Sequence, residues 1–171
     1  MQIPVVAKRL CALIGAAAIA GCAATESKLA VPYEVTVIAA QDVNPDSTGR
    51  PSPIQVTVYE LTSQGAFQSS DYFSLMDDAR KALGEDVSDL HRLTLRPGEQ
   101  KTVQRPGAIG ARALGIVASY RDLDAGQWRI GVELPESRST NIYKFWQFSP
   151  GSARIVVKAG RQGLALVSQE D

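Results

Sequence analysis

Thiols, imidazoles and net charge are scarce in this chain of 171 residues, which has two Cys and one His. That is too few for a zinc finger, a His-rich metal site or a disulfide-stapled scaffold. Its 18 basic side chains are matched by 18 acidic ones. A nucleic-acid binder would show a basic excess, and polybasic attachment to an anionic membrane would need one as well. Nucleotide and hydrolase signatures are also missing. Gly107, Gly110 and Gly115 fit neither Gly-x-Gly-x-x-Gly nor the phosphate-loop spacing, and there is no Gly-x-Ser-x-Gly elbow. His91, the one imidazole available as a base, stands before Leu93-Thr94-Leu95 with no patterned nucleophile nearby, which reads as a surface or turn-capping residue. What is present is globular composition: 44% hydrophobic residues, with 14 Gly and 9 Pro spread along the chain.

The N-terminus reads as a secretory signal, not as part of the fold. Lys8 and Arg9 precede the apolar run Leu10–Gly21, no acidic residue occurs before Cys22, and the run ends in small residues. The run is shorter than the roughly 20 residues a membrane span requires. Ile19-Ala20-Gly21-Cys22 resembles a bacterial lipobox. There the thiol accepts diacylglycerol, the signal is cleaved, and the new N-terminus is acylated. The expected organisation is a signal peptide over 1–21, a lipidated tether over 22–32 and one domain over 33–171. No cofactor is expected beyond the covalent lipid on Cys22. Ala23 and Ala24 follow the Cys, as in lipoproteins sent to the outer membrane; those with Asp there stay in the inner one. Cys11 leaves with the signal and Cys22 is consumed, so the domain must be stable from its core alone. A chain of about 150 residues can bury enough surface for that.

The mature chain reads as strands with one helical interruption. Tyr33–Ala39 and Ile54–Leu61 alternate with β-branched residues prominent. On the second, Ile54, Val56, Val58 and the stem of Glu60 share one face. Tyr72, Leu75, Met76, Ala79 and Leu83 follow helical spacing, predicting an insertion around 66–84. Ser69 or Ser70 is the expected N-cap and Gly84 the expected stop. Phe67 and Phe73 are expected to pack in the core beneath it. Further strands are predicted over His91–Arg96, Glu99–Arg105, Leu114–Tyr120, Gln127–Leu134, Asn141–Phe148 and Arg154–Ala159, with an edge strand over Leu164–Val167. About eight short strands with one helical insertion after the second predict a mainly β fold, a β-sandwich.

Between the first two strands lies Asp42-Val43-Asn44-Pro45-Asp46-Ser47-Thr48-Gly49-Arg50-Pro51-Ser52-Pro53. Three prolines, a glycine and several turn formers make it an exposed loop. Asp42, Asn44 and Asp46 lack EF-hand spacing. Asp77 and Asp78 are adjacent on a helix and point apart, a solvated face. Arg121-Asp122 and Trp128-Arg129 are expected to pair and stack, holding two strand ends together.

These features occur together in one order. Cys22 precedes Asn44-Pro45-Asp46, Gly49–Ile54 and Tyr59-Glu60-Leu61. After them come Phe67, Asp71–Leu75, Leu95–Glu99, Ile116–Leu123 and Trp128-Arg129. The set resembles the outer-membrane lipoproteins of the bacterial type VI secretion system, the TssJ (VasD/SciN) family. The resemblance implies a two-sheet, transthyretin-like sandwich with helical additions. It implies a place on the periplasmic face of the outer membrane. It also implies a partner, the periplasmic C-terminal domain of the inner-membrane protein TssM, with which such lipoproteins build the trans-envelope complex. In that family the loop between the first two strands contributes to the contact; here that is Asp42–Pro53. The expected role is therefore non-enzymatic. An alternative is a lipoprotein sandwich that binds a small ligand or carbohydrate, which would need an aromatic-lined cleft. A transthyretin-like hydrolase would need convergent imidazoles, and there is one His.

Overall fold

The computed structural model of the chain describes residues 27–170 apart from 125, 138 and 141–150. The predicted strand Asn141–Phe148 and the lipobox lie outside the described residues. The elements run β1 (Ser27–Lys28), β2 (Tyr33–Ala39), β3 (Ile54–Leu61), α1 (Gly65–Ser69), α2 (Tyr72–Asp77), α3 (Ala79–Leu83), β4 (Val87–Leu95), β5 (Gln100–Arg105), β6 (Ala113–Ala118), β7 (Arg129–Glu133), β8 (Ser139–Thr140), β9 (Ala153–Gly160) and β10 (Gly163–Glu170). Two four-stranded sheets form, in the orders β10-β9-β2-β5 and β4-β3-β6-β7, and β1 pairs with β8. The predicted mainly β sandwich with a helical insertion after the second long strand is the fold observed.

Two cores explain which runs alternate and which do not. Between the sheets, Val35, Val37, Ile155 and Val157 meet Ile54, Val56, Val58, Leu114 and Ile116. On the outer face of the second sheet, Tyr59, Leu61 and Val117 meet Phe67, Leu75 and Leu83 of the helices. β3 and β6 are thus covered on both faces, and every residue of β6 is buried. A strand buried on both sides reads as a continuous apolar run. Glu60 takes the last inward position of β3 and is buried. Its carboxylate accepts from the Ser88 hydroxyl at 2.9 Å and the Ala108 amide at 2.8 Å. Burial, and then the Glu60 charge, push the neighbouring Tyr33 phenol up.

The helical insertion departs from the single predicted helix. Three short helices form because two aspartates each start a new one. The Asp71 carboxylate accepts from the Ser74 amide at 3.0 Å and Asp78 from the Lys81 amide at 3.1 Å. Asp78 has φ −145° and ψ 81°, which ends α2 before α3 begins. Ser69 and Ser70 are not N-caps. Their hydroxyls donate back to the Ala66 carbonyl at 3.2 and 2.8 Å, closing α1. Gly84, at φ 57°, does terminate α3. Phe73 corrects another expectation: it is 71% exposed, whereas Phe67 is 1% exposed. Two further differences concern strand bounds. β4 starts at Val87, four residues ahead of His91, because the chain pairs with β3 as soon as the insertion ends. β10 is a full strand over Gly163–Glu170, carried past Val167 by its ladder to β9.

Candidate functional site

Strand direction sorts the loops into two ends. β2 and β9 run parallel, and β5 runs antiparallel to β2, pairing Tyr33 with Arg105 and Ile38 with Gln100. The segment before β2 and the β5–β6 connection therefore lie at one end, the tether end. The β2–β3, β4–β5, β6–β7 and β9–β10 connections gather at the other. The seven residues of β2 separate the two ends by about 23 Å.

At the far end, Asn44 organises the β2–β3 loop. It sits in the left-handed region at φ 47°, which Asn tolerates better than most residues. It is 4% exposed, and its amide is used at both ends. Nδ2 donates to the Pro53 carbonyl at 2.8 Å, and Oδ1 accepts from the Arg121 backbone amide at 2.9 Å. One side chain so joins the loop to its own exit and to the β6–β7 connection. Val43 is fully buried in the inter-sheet core. Val43, Asn44 and Ser52 are buried, so the loop is exposed only in part: Asp42, Ser47–Pro51 and Pro53 face solvent, and Pro45 and Asp46 are half-buried.

The tip is built on Asp46. Its Oδ1 accepts from the Thr48 amide at 2.9 Å, the Thr48 hydroxyl at 2.6 Å and the Arg50 amide at 3.0 Å. The Asp46 amide donates to the Arg50 carbonyl at 2.9 Å, and Gly49 turns the chain at φ 82°. The Thr48 hydroxyl first, then the Arg50 amide, lower the Asp46 carboxyl from 3.8 to about 2. Such a group supports the folded turn above its ordinary value and loses that support as pH falls toward the depressed one. The Thr48 and Arg50 amide proton resonances are expected to titrate between pH 3.8 and about 2, with the midpoint at the lower value. A midpoint at the ordinary carboxylate value, read by NMR, would mean the turn is not held this way.

Tyr120 joins the third element. It is buried, and its hydroxyl donates to the Gly160 carbonyl at 3.1 Å, beside the β9–β10 turn. A groove of about 580 Å³ opens here, lined by Asn44–Ser47, Tyr120–Asp122 and Arg161–Gln162. Tyr120 is the one aromatic residue in that lining. The lining mixes polar and apolar surface, so this groove is not the aromatic-lined cleft that the small-ligand alternative calls for.

The other sequence candidates fall elsewhere. His91 is exposed on β4. Asp77 is exposed, and Asp78 is used as the cap of α3. Arg129 stacks over Trp128, 4.7 Å from the ring centre, and donates to the Phe67 and Ser70 carbonyls at 2.9 and 2.5 Å. It therefore ties α1 to β7, which agrees with the stacking expected. The expected Arg121–Asp122 pairing does not form: Arg121 takes part in no ion pair among the described residues, and Asp122 accepts from the Asp124 amide at 3.2 Å. Adjacent side chains diverge here, and the Arg121 contribution is its backbone amide. Among the described residues no three His, Cys, Asp or Glu come together as a metal site.

The fold agrees with that of known relatives. The family model for type VI secretion lipoproteins (VasD, EvfM, TssJ) matches residues 32–161. The crystal structure of the type VI secretion lipoprotein TssJ1 from Pseudomonas aeruginosa is 30% identical, with TM-score 0.71, covering 83% of this chain and 98% of that one. Serratia marcescens Lip, a membrane-bound component of the type VI secretion system, is 34% identical, with TM-score 0.69, covering 80% of this chain and 97% of that one. A chain of a type VI membrane complex, at 20% identity and TM-score 0.64, shares the fold. No curated protein matches. The chain belongs to the type VI secretion lipoprotein family of TssJ and VasD.

Proposed function

We propose that the mature chain is acylated on Cys22, is held at the periplasmic face of the outer membrane, and grips the periplasmic C-terminal domain of TssM through the loop Asp42–Pro53. It contributes an anchor and a docking surface and makes or breaks no bonds itself. The observation that carries this reading is the placement of the loop. It stands at the end of the sandwich opposite the tether, about 23 Å away along β2, where a partner reaching across the periplasm would meet it. Family membership supports the partner.

The loop is also prepared for association. Asn44 and Asp46 hold its shape through the hydrogen bonds above, and Pro45, Pro51 and Pro53 restrict its backbone. A loop ordered before binding gives up less entropy on contact.

Ser47 lies at the exposed tip, so it tests the contact without disturbing the Asn44 anchor. Ser47→Trp is expected to weaken binding of the TssM periplasmic domain about tenfold, or ~1.4 kcal/mol, in a calorimetric titration. The thermal midpoint should not move. Unchanged affinity would remove the loop from the interface.

A further inference from the structure

The β5–β6 connection is apolar where most surface turns are polar. Between Arg105 and Arg112 it runs Pro106-Gly107-Ala108-Ile109-Gly110-Ala111. The Ala111 amide donates to the Ala108 carbonyl at 3.2 Å, closing a tight turn with Ile109 and Gly110 at its tip. Ile109 is 70% exposed. A Cβ built on Gly110 would find nothing within 4 Å, so the tip projects into open space.

Its position says what it faces. This connection leaves the sandwich at the tether end, since Arg105 pairs with Tyr33. Gly107, at φ +74°, lies so close to the tether that a Cβ there would stand 2.2 Å from the Val31 carbonyl oxygen. The leash is short. Ser27 and Lys28 already pair with Thr140 and Ser139, so the five peptide units from Cys22 to Ser27 reach at most about 18 Å. A body held that close to a bilayer, by a chain that emerges beside this turn, presents the turn to the lipid.

We infer that Pro106–Ala111 is a membrane wedge. The Ile109 side chain enters the headgroup–acyl boundary of the leaflet that holds the acylated Cys22 and fixes which end of the sandwich faces the bilayer. This rests on the lipid-anchor reading above. The wedge is apolar in character: none of Pro106–Ala111 is charged, and the Arg105 that precedes it pairs with Asp89. Contact of this kind does not fade with added salt, unlike attachment through surface charge.

The test uses the mature acylated protein in vesicles of phosphatidylethanolamine and phosphatidylglycerol. With Cys11 gone and Cys22 acylated, Ile109→Cys supplies a single thiol for an environment-sensitive dye, and Ser47→Cys at the far end is the matched control. The dye at position 109 is expected to be quenched by a lipid-borne spin label and shielded about tenfold from aqueous iodide relative to the control, at low and high salt alike. Ala108→Cys carries the same dye beside an intact Ile109 and should be shielded too. Adding Ile109→Asp to it should abolish the shielding, which separates the native side chain from the dye. Equal iodide access at positions 109 and 47 on vesicle-bound protein would overturn the wedge and leave the anchor standing. Shielding that appears only on addition of a partner protein would also overturn it, giving that surface to protein. Mass spectrometry of the same preparation showing no acyl group on Cys22 would overturn both readings.

Discussion

Phe67→Ala is expected to lower the stability of the folded chain by about 3–5 kcal/mol, the cost of emptying a buried aromatic site that cannot collapse. The ring is 1% exposed and fills space that Gly115 leaves open on β6. A Cβ on Gly115 would stand 2.6 Å from the Phe67 ring. Tyr59 holds the other side, with ring centres 5.9 Å apart at 51°, and its hydroxyl is already committed to the Leu75 carbonyl at 2.9 Å. No neighbour is free to move in, because β6 is fixed between β3 and β7. The same geometry predicts the converse: Gly115→Ala destabilises on its own by overpacking and costs less in the Phe67→Ala background. Urea unfolding of the two single variants and the double variant measures this as a shift in midpoint at constant slope. Additive losses would mean that ring and glycine do not compete for the same space.

The sheets were legible in the sequence wherever one face of a strand is apolar. Tyr33–Ala39 and Ile54–Leu61 have the same bounds in the alternation and in the ladder. The helical insertion was legible in kind but not in form. Tyr72, Leu75, Met76, Ala79 and Leu83 satisfy one continuous period, yet Asp71 and Asp78, seven residues apart, each satisfy the free amides of a new helix start. Local capping overrides a period when the sheet below anchors both pieces. Phe73 was misplaced for a similar reason. Tyr72 and Phe73 are adjacent, the inward place beside Trp128 is taken by Tyr72, at 5.5 Å and 84°, and Phe73 is left to cap Tyr72 from the solvent side, edge to face at 5.4 Å.

The candidate site was legible as a loop and not as an arrangement. Composition showed that Asp42–Pro53 would turn at the surface. It did not show that Asn44 is buried, because that rests on an amide 77 positions away at Arg121. Contacts of such separation carry no local pattern. Asp46 is the opposite case: Asp followed by Thr two positions on and by Gly three positions on is a turn signal that can be read directly.

Cys22→Ser, exported behind an ordinary cleavable signal so that processing does not depend on the thiol, should move the protein from the membrane to the soluble periplasmic fraction, the largest change expected of any single substitution. Each methylene of an acyl chain buried in lipid contributes about 0.8 kcal/mol, and one chain alone gives only marginal, reversible attachment. Several chains on one residue make release negligible, and an oxygen in place of the sulfur removes them all at once. The described fold begins at Ser27 and both of its cores are built from other residues, so the thermal midpoint of the soluble form should equal that of the anchored one. The proposed membrane contact among the described residues is a turn with one exposed Ile, far too little to hold a domain of this size without the lipid. Affinity for the TssM domain in solution should likewise be unchanged, because the loop lies at the other end of the sandwich. In the cell the complex should nonetheless fail to assemble, since tethering sets the local concentration at which the two proteins meet. Fractionation with immunodetection, together with the solution titration, separates these effects. A Cys22→Ser protein that stays with membranes through a high-salt wash would show that something other than acyl chains holds it.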